Sequence, residues 1–265
     1  MRTSPLNYLS VIPFVAVVGC SSSSSNSTTQ PSQDAGVDAA PLADASTAID
    51  AYAGMATEHG VMVDYETLKG VPGLTVTDNG VSATTDGDGG WSLVVPPGVT
   101  LSPNVSGASY SNLYFPESLP SAADVDYGVA VDGTSSTFQL EQSGLANDTT
   151  KGLVQVVVVT ASTCASSAGG TLAVMSPSGT TTVYFSTTTL PDSSLTSFQA
   201  VMPPRPVAVV YNITPGATLD LKISHPTCTQ AAFPFTYNGR TYTGAVPIKA
   251  TEPGDNNSAI VLMLE

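Results

Sequence analysis

Basic side chains are scarce. The 265-residue chain carries 7 Lys and Arg against 21 Asp and Glu, a formal net charge of −14. Phosphate backbones and anionic head groups are held by clustered Lys and Arg, so this balance argues against nucleic acid or a charged lipid surface as a partner. The same acidity suits a secreted protein that must stay soluble. Histidine is scarcer still, with only His59 and His225. No Gly-x-Ser-x-Gly sequence is present, so the strained serine elbow of one large hydrolase class is missing. The three cysteines, Cys20, Cys164 and Cys228, give little material for a zinc site built on three or four ligands. Beyond the first twenty residues no apolar run approaches the roughly 20 residues that a membrane-spanning helix needs.

What is present at the start is distinctive. Arg2 is the sole basic residue among the first nineteen, and an apolar segment runs from Tyr8 to Val18 with Pro13 inside it. A charged start, a short apolar middle and a small residue before the cut describe a secretory signal, here residues 1–19. The cut site Val17-Val18-Gly19-Cys20 resembles the lipobox of bacterial lipoproteins. That resemblance implies acylation of the Cys20 thiol, with about three acyl chains where two membrane signals suffice for stable attachment. The partner it implies is a membrane, reached through the N-terminal lipid. Ser21, in place of Asp, points in that family to the outer membrane. An ordinary signal peptide that contains a cysteine is the alternative. Loss of residues 1–19 would leave six Lys and Arg against twenty-one acids, a charge of −15.

From Cys20 to Ala56 the chain is Ser, Thr, Ala, Asp, Gln and Pro with almost no large apolar side chain, too little to offset ordering entropy. These residues read as a disordered tether that would hold the body some 30 Å from its anchor, at about 5–6 Å times the square root of length.

The remainder reads as β. Leu74–Thr77 alternates apolar and polar, Asn79-Gly80 is a hairpin turn, Val81–Thr84 alternates again, and Asp86-Gly-Asp-Gly-Gly90 forces a second turn before Trp91–Val95. A second set follows at Val154–Thr160, Leu172–Met175, Thr181–Ser186, Val207–Ile213, Leu219–Ser224, Arg240–Thr243 and Ala259–Leu264. Between the sets, Ser136–Gly144 carries the one helix signal, a Ser cap and a closing Gly. The expected fold is all-β, two antiparallel β-sandwiches in tandem at residues 57–134 and 149–265, joined by a linker or short helix at 135–148. An internal echo fits duplication: Val95-Pro-Pro-Gly-Val-Thr-Leu101 and Ile213-Thr-Pro-Gly-Ala-Thr-Leu219 share a strand end, a Pro-Gly turn and a Thr-Leu restart. Chance reuse of turn chemistry competes with that reading.

Residues 60–110 resemble the carboxypeptidase regulatory-like family of prealbumin-like (transthyretin-type) β-sandwiches. The matching elements are Gly60-Val61 to Asp64, Val71-Pro72-Gly73 with Val76, Thr84-Thr85-Asp86 with Asp88-Gly89, Trp91, and Pro96-Pro97-Gly98. Gly90 departs from the pattern, as does the Pro/Ser/Asp-rich stretch after Tyr110. The resemblance implies prealbumin-like modules without catalytic residues or cofactors, serving a structural, accessory or binding role. Intradiol dioxygenases share that fold and hold iron with two Tyr and two His. Here His59 and His225 fall in different expected domains and lack the His-x-His spacing.

Three constellations carry residue types suited to chemistry. Asp86-x-Asp88-x-Gly90 imitates the start of a calcium loop, but its twelfth position is Pro97 instead of Glu, which favours a tight Asp-Gly turn. Cys164 and Cys228 form an even pair in an oxidising compartment and are expected as a disulfide; a metal site built on His225-Pro-Thr-Cys228 with Cys164 is the alternative. Finally, Tyr237, Arg240 and Tyr242 around the Asn238-Gly239 turn, beside Phe233 and Phe235, could bind a glycan or a peptide if exposed, or face the core if the hairpin packs inward.

Overall fold

The computed structural model describes residues 52–107, 109–133, 138–187, 190–199, 207–246, 248–250 and 256–265. The expected signal, Cys20, the tether as far as Ala51 and the expected helix cap Ser136 lie outside the described residues.

The first half opens with β1 (Ala56–Asp64), whose inward positions Ala56, Glu58, Gly60 and Met62 alternate with half-buried ones. A hairpin follows, β2 (Thr75–Asp78) and β3 (Val81–Thr84), turned by Asn79 and Gly80 at φ 46° and 79°. Two consecutive positive φ angles make a turn whose twist matches the flanking strands, which is why Asn-Gly signals it. The second expected turn also forms. Asp86 Oδ1 accepts from the N–H groups of Asp88 and Gly90 at 3.0 and 2.8 Å, and the chain enters β4 (Gly90–Val95). Then come β5 (Asn104–Gly107), β6 (Tyr110–Tyr114), β7 (Ser118–Pro120) and β8 (Asp124–Asp132).

The helix α1 (Phe138–Gln142) closes at Gly144 with φ 67° and leads to β9 (Gly152–Thr160). The second half continues through β10 (Thr171–Ser176), β11 (Thr181–Phe185), β12 (Pro191–Asp192), β13 (Val207–Ile213) and β14 (Asp220–Ser224). It ends with the hairpin β15 (Phe235–Tyr237) and β16 (Arg240–Tyr242), turned by Asn238-Gly239, and with β17 (Asn256–Leu264).

The protein is all-β, built in layers. A nine-stranded sheet runs β12-β11-β13-β9-β17-β6-β5-β2-β3 and so takes strands from both halves of the chain. At one end it packs against the three-stranded sheet β4-β1-β8 over a core of Met62, Val76, Trp91, Leu93, Val105, Leu113, Phe115 and Tyr127. At the other end it packs against β10-β14 over Val154, Val156, Leu172, Phe198, Val210, Leu221, Ile223, Ile260 and Leu262. Each core is therefore a sandwich, and the two share one layer.

Most pairings are antiparallel, as expected, but β1 with β8, β17 with β6 and β17 with β9 are parallel. The parallel pair at the sheet centre explains its own sequence. Val156, Val158, Ile260 and Leu262 point into the sandwich core, while Val159 and Val261 point the other way against Phe235 and Tyr242. Strands covered on both faces read as unbroken apolar runs in place of alternation. The strands β6 to β8 arise from the Pro/Ser/Asp-rich stretch, in which local pattern is weak.

The two echo segments adopt the same local form. Gly98 and Gly216 have φ 70° and 77° just beyond β4 and β13, and each turn delivers a buried leucine, Leu101 and Leu219.

Candidate functional site

The hairpin β15–β16 turns its side chains inward. It adds to β7 to make a fourth sheet, with Arg240 opposite Pro120 and Tyr242 opposite Ser118. Arg240 is 3% exposed and Tyr242 1%, while Phe233 and Tyr237 are half-buried. The rings of Phe233, Phe235 and Tyr242 follow one another at 5.2 Å between centroids and lie against Val159 and Val261. The hairpin thus belongs to the interior, and Arg240 and Tyr242 present no open platform.

Around Arg240 the structure gathers ionisable groups from distant parts of the chain. Its guanidinium carbon sits 3.6 Å from the centroid of the Tyr127 ring and 4.9 Å from that of Tyr242, close enough for cation–π attraction with both. Tyr127 comes from β8 and packs on Trp91 of β4 at 5.4 Å. Gly60 makes that packing feasible, because a Cβ there would meet the indole at 3.1 Å. Glu58 of β1 is fully buried in the same region. Burial, with the neighbouring Asp78 carboxyl adding to it, pushes Glu58 up to about 9, against a smaller opposing pull from Arg240. Glu58 is therefore a neutral carboxylic acid at pH 7. Asp78 is raised by burial as well, but its carboxylate accepts from the Ser102 N–H and the Asn79 side chain, each at 3.0 Å. Burial also holds the Tyr127 phenol well above its ordinary value.

Two other features complete the inventory. Cys164 and Cys228 are joined as a disulfide that staples the turn after β9 to the segment after β14. One ligand atom from each of Cys164, His225 and Cys228 lies within 4.8 Å of the others. His225 is nonetheless engaged in local structure. Its Nδ1 accepts from the N–H groups of Thr227 and Cys228 at 3.2 and 3.1 Å, which places the ring proton on Nε2, 3.0 Å from the Ala168 carbonyl. With both sulfurs oxidised, the trio holds a chain turn together instead of offering thiolates.

On the outer face of β1, β4 and β8 lies a shallow groove of about 530 Å³ lined by His59, Val61, Ala83, Ser92, Asp126 and Val129. His59 Nε2 approaches Asp124 at 3.1 Å and its Nδ1 approaches Asp126 at 3.9 Å. Val129 and Val94 are 43% and 50% exposed on this face. The sequence singled out none of these residues as a group. Their only advance signal was the alternation of β1 and β4, which puts His59, Val61, Ser92 and Val94 on the side away from the core.

No family model matches the chain, and no curated protein matches it. Among solved structures it is similar to the Bacillus anthracis TIE protein, at 10% identity over 80% of this chain and 34% of that one, with a TM-score of 0.23. A streptococcal ancillary pilin gives 10% identity over 80% of this chain and 62% of that one, at 0.22. The shaft pilin SpaA of Lactobacillus rhamnosus GG gives 8% over 80% and 98%, at 0.23. The chain thus spans about a third of the first protein and under two thirds of the second. At these TM-scores the likeness carries no argument about function.

Proposed function

We propose that this chain is a non-catalytic lipoprotein of the cell envelope, lipidated at Cys20, whose tether at residues 20–56 carries a rigid β body out from the membrane in a structural role. The observation that supports the structural reading most directly is the inward packing of Arg240 and Tyr242. The aromatic hairpin is used to bind the protein to itself. The sequence Val17-Val18-Gly19-Cys20 supports the anchor, Ser21 supports the outer membrane, and the motifs of residues 60–110 support a carboxypeptidase regulatory-like first module. Modules at residues 57–134 and 149–265, joined through 135–148, fit two cores that share a sheet.

Substitution Cys20→Ser tests the anchor. The variant is expected in the soluble fraction while the parent chain stays with the membrane; a variant retained on the membrane would sink the proposal.

A binding role is the second reading, now favoured at the groove beside His59 instead of at the hairpin. Exposed Val129 and half-buried Val61 next to His59 and Asp126 offer the mixed apolar and polar lining that small sites use. A glycan and peptide array probed with the Cys20→Ser chain is expected to be blank under the structural reading. A hit abolished by His59→Ala would move the assignment to this groove.

A further inference from the structure

The segments that carry the disulfide also grip the end of β17. Ala161, in the turn that bears Cys164, donates its N–H to the Leu264 carbonyl at 2.7 Å, and the Cys164 N–H bonds to the Ala161 carbonyl at 3.0 Å. Along the opposite edge, Thr229 exchanges two backbone bonds with Glu265, each at 2.8 Å, and the Ala231 N–H reaches the Met263 carbonyl at 2.9 Å. Thr229 follows Cys228 directly, so the strand that joins the two halves ends inside a clasp closed by Cys164 and Cys228. His225 stands at the same clasp. Its ring is held in place by Gly170, where a Cβ would meet His225 Cδ2 at 3.3 Å.

We propose that reduction converts this clasp into a site for one divalent, thiolate-seeking cation of the zinc type, bound by Cys164 Sγ, Cys228 Sγ and His225 Nδ1, and that the metal then holds the end of β17 in place of the disulfide. The ligand atoms of the three residues already lie within 4.8 Å of one another. Bond lengths of about 2.0–2.3 Å in a tetrahedral sphere set them roughly 3.3–3.8 Å apart, so small shifts suffice. The imidazole has the tautomer that ligation needs. Its Nε2–H donates to the Ala168 carbonyl at 3.0 Å, the outer partner that metal-bound histidines customarily keep, and its Nδ1 lone pair is turned toward Cys228. That lone pair gives up the Thr227 and Cys228 N–H groups when it takes the metal. Thr227 Oγ1, 3.7 Å from Cys228 Sγ, is placed to donate to the new thiolate, and the Ser166 carbonyl, 3.3 Å from Cys164 Sγ, accepts the S–H of the metal-free reduced chain. The chemistry balances. A dithiol supplies the two electrons and two protons that open the bond and itself ends as a disulfide; the cation then displaces both thiol protons to solvent. Two thiolates and a neutral imidazole cancel the charge of a divalent ion and suit a soft or borderline one. Cys164 is buried while His225 and Cys228 are half-buried, so the ion enters from the His225 side and water fills its fourth position.

The test uses the full Cys20→Ser chain, which leaves no third thiol to compete, reduced with dithiothreitol and desalted under argon. Cobalt(II) is expected to give the near-ultraviolet charge-transfer band of thiolate ligation and the intense visible bands of a tetrahedral ion, saturating at one ion per chain and displaced by zinc. The oxidised chain should give neither. His225→Ala should weaken cobalt binding by about tenfold or more. Because that substitution also removes the acceptor of the Cys228 turn, a second measurement avoids it: in the reduced chain, zinc should shift the NMR signals of the His225 ring and leave those of His59, the other histidine, in place. The amides of Ala161, Thr229 and Glu265 should exchange roughly tenfold faster after reduction and slow again once zinc is added. A reduced chain without the cobalt bands, His225 signals that zinc does not move, or exchange that zinc does not slow would overturn the proposal.

Discussion

Arg240 takes a permanent charge into an interior where charges are expensive, and it remains there because aromatic faces and an acid pair surround it. Removing one member of such a group leaves the others stranded. Arg240→Ala is therefore expected to destabilise the chain by about 3–5 kcal/mol, read from urea unfolding followed by fluorescence of Trp91, the single tryptophan. Arg240→Lys should not restore it, because an ammonium lacks the planar fork that lies on a ring. Glu58 makes a separate prediction about pH. Its pKa rises on folding from 4.5 to about 9, so the folded state binds more protons than the unfolded state between those values. Stability from this group is complete below pH 4.5 and is lost as pH climbs toward 9. Unfolding midpoints measured from pH 5 to 9 should fall in the parent chain and fall less in Glu58→Gln. Neither role was legible in the sequence. The sequence leaves the hairpin of Tyr237, Arg240 and Tyr242 open between an exposed and a core-facing placement, and nothing local reports that the neighbours of Arg240 will be Glu58 and Tyr127.

Strands and turns were more readable than side-chain roles. Period-two alternation located β2, β3, β4 and β14, and Asn-Gly marked both tight hairpins, because those signals depend on neighbours in sequence. The strands β5 to β8 escaped notice, since their pairing comes from the sheets they join. The Asp86 turn shows what its glycines are for. Gly89 sits at φ 80°, and a Cβ there would meet the Met62 carbonyl oxygen at 2.1 Å, the same oxygen that bonds to Val71 N–H. Gly89→Ala is expected to cost more than about 2 kcal/mol, from the left-handed strain together with the clash, and a thermal melt would measure it. The disulfide was legible through compartment and parity. Closing a loop of sequence separation 64 is worth about 4 kcal/mol in the chain-entropy model. Reduction under native conditions should lower the unfolding midpoint accordingly.

At the scale of the molecule, the shared sheet makes the two cores interdependent. Trp91 belongs to the first core and the disulfide to the second. If the sheet and the hairpin couple them, reducing Cys164–Cys228 will shift the Trp91 fluorescence transition together with the far-ultraviolet circular dichroism transition. Two separated transitions would show that the cores melt independently. The tandem arrangement expected from the sequence did not foresee this interlock, because periodicity speaks of which residues face inward and says nothing of which distant strand lies alongside.

The position of β17 carries a consequence for the order of events. Residues 256–264, the last of the described strands in chain order, lie between β9, the first strand of the second half, and β6 of the first half. Until they have been synthesised and delivered, the large sheet exists as two fragments with bare edges facing each other. A chain emerging from its N-terminus can form local hairpins early, but the seam closes only when β17 arrives.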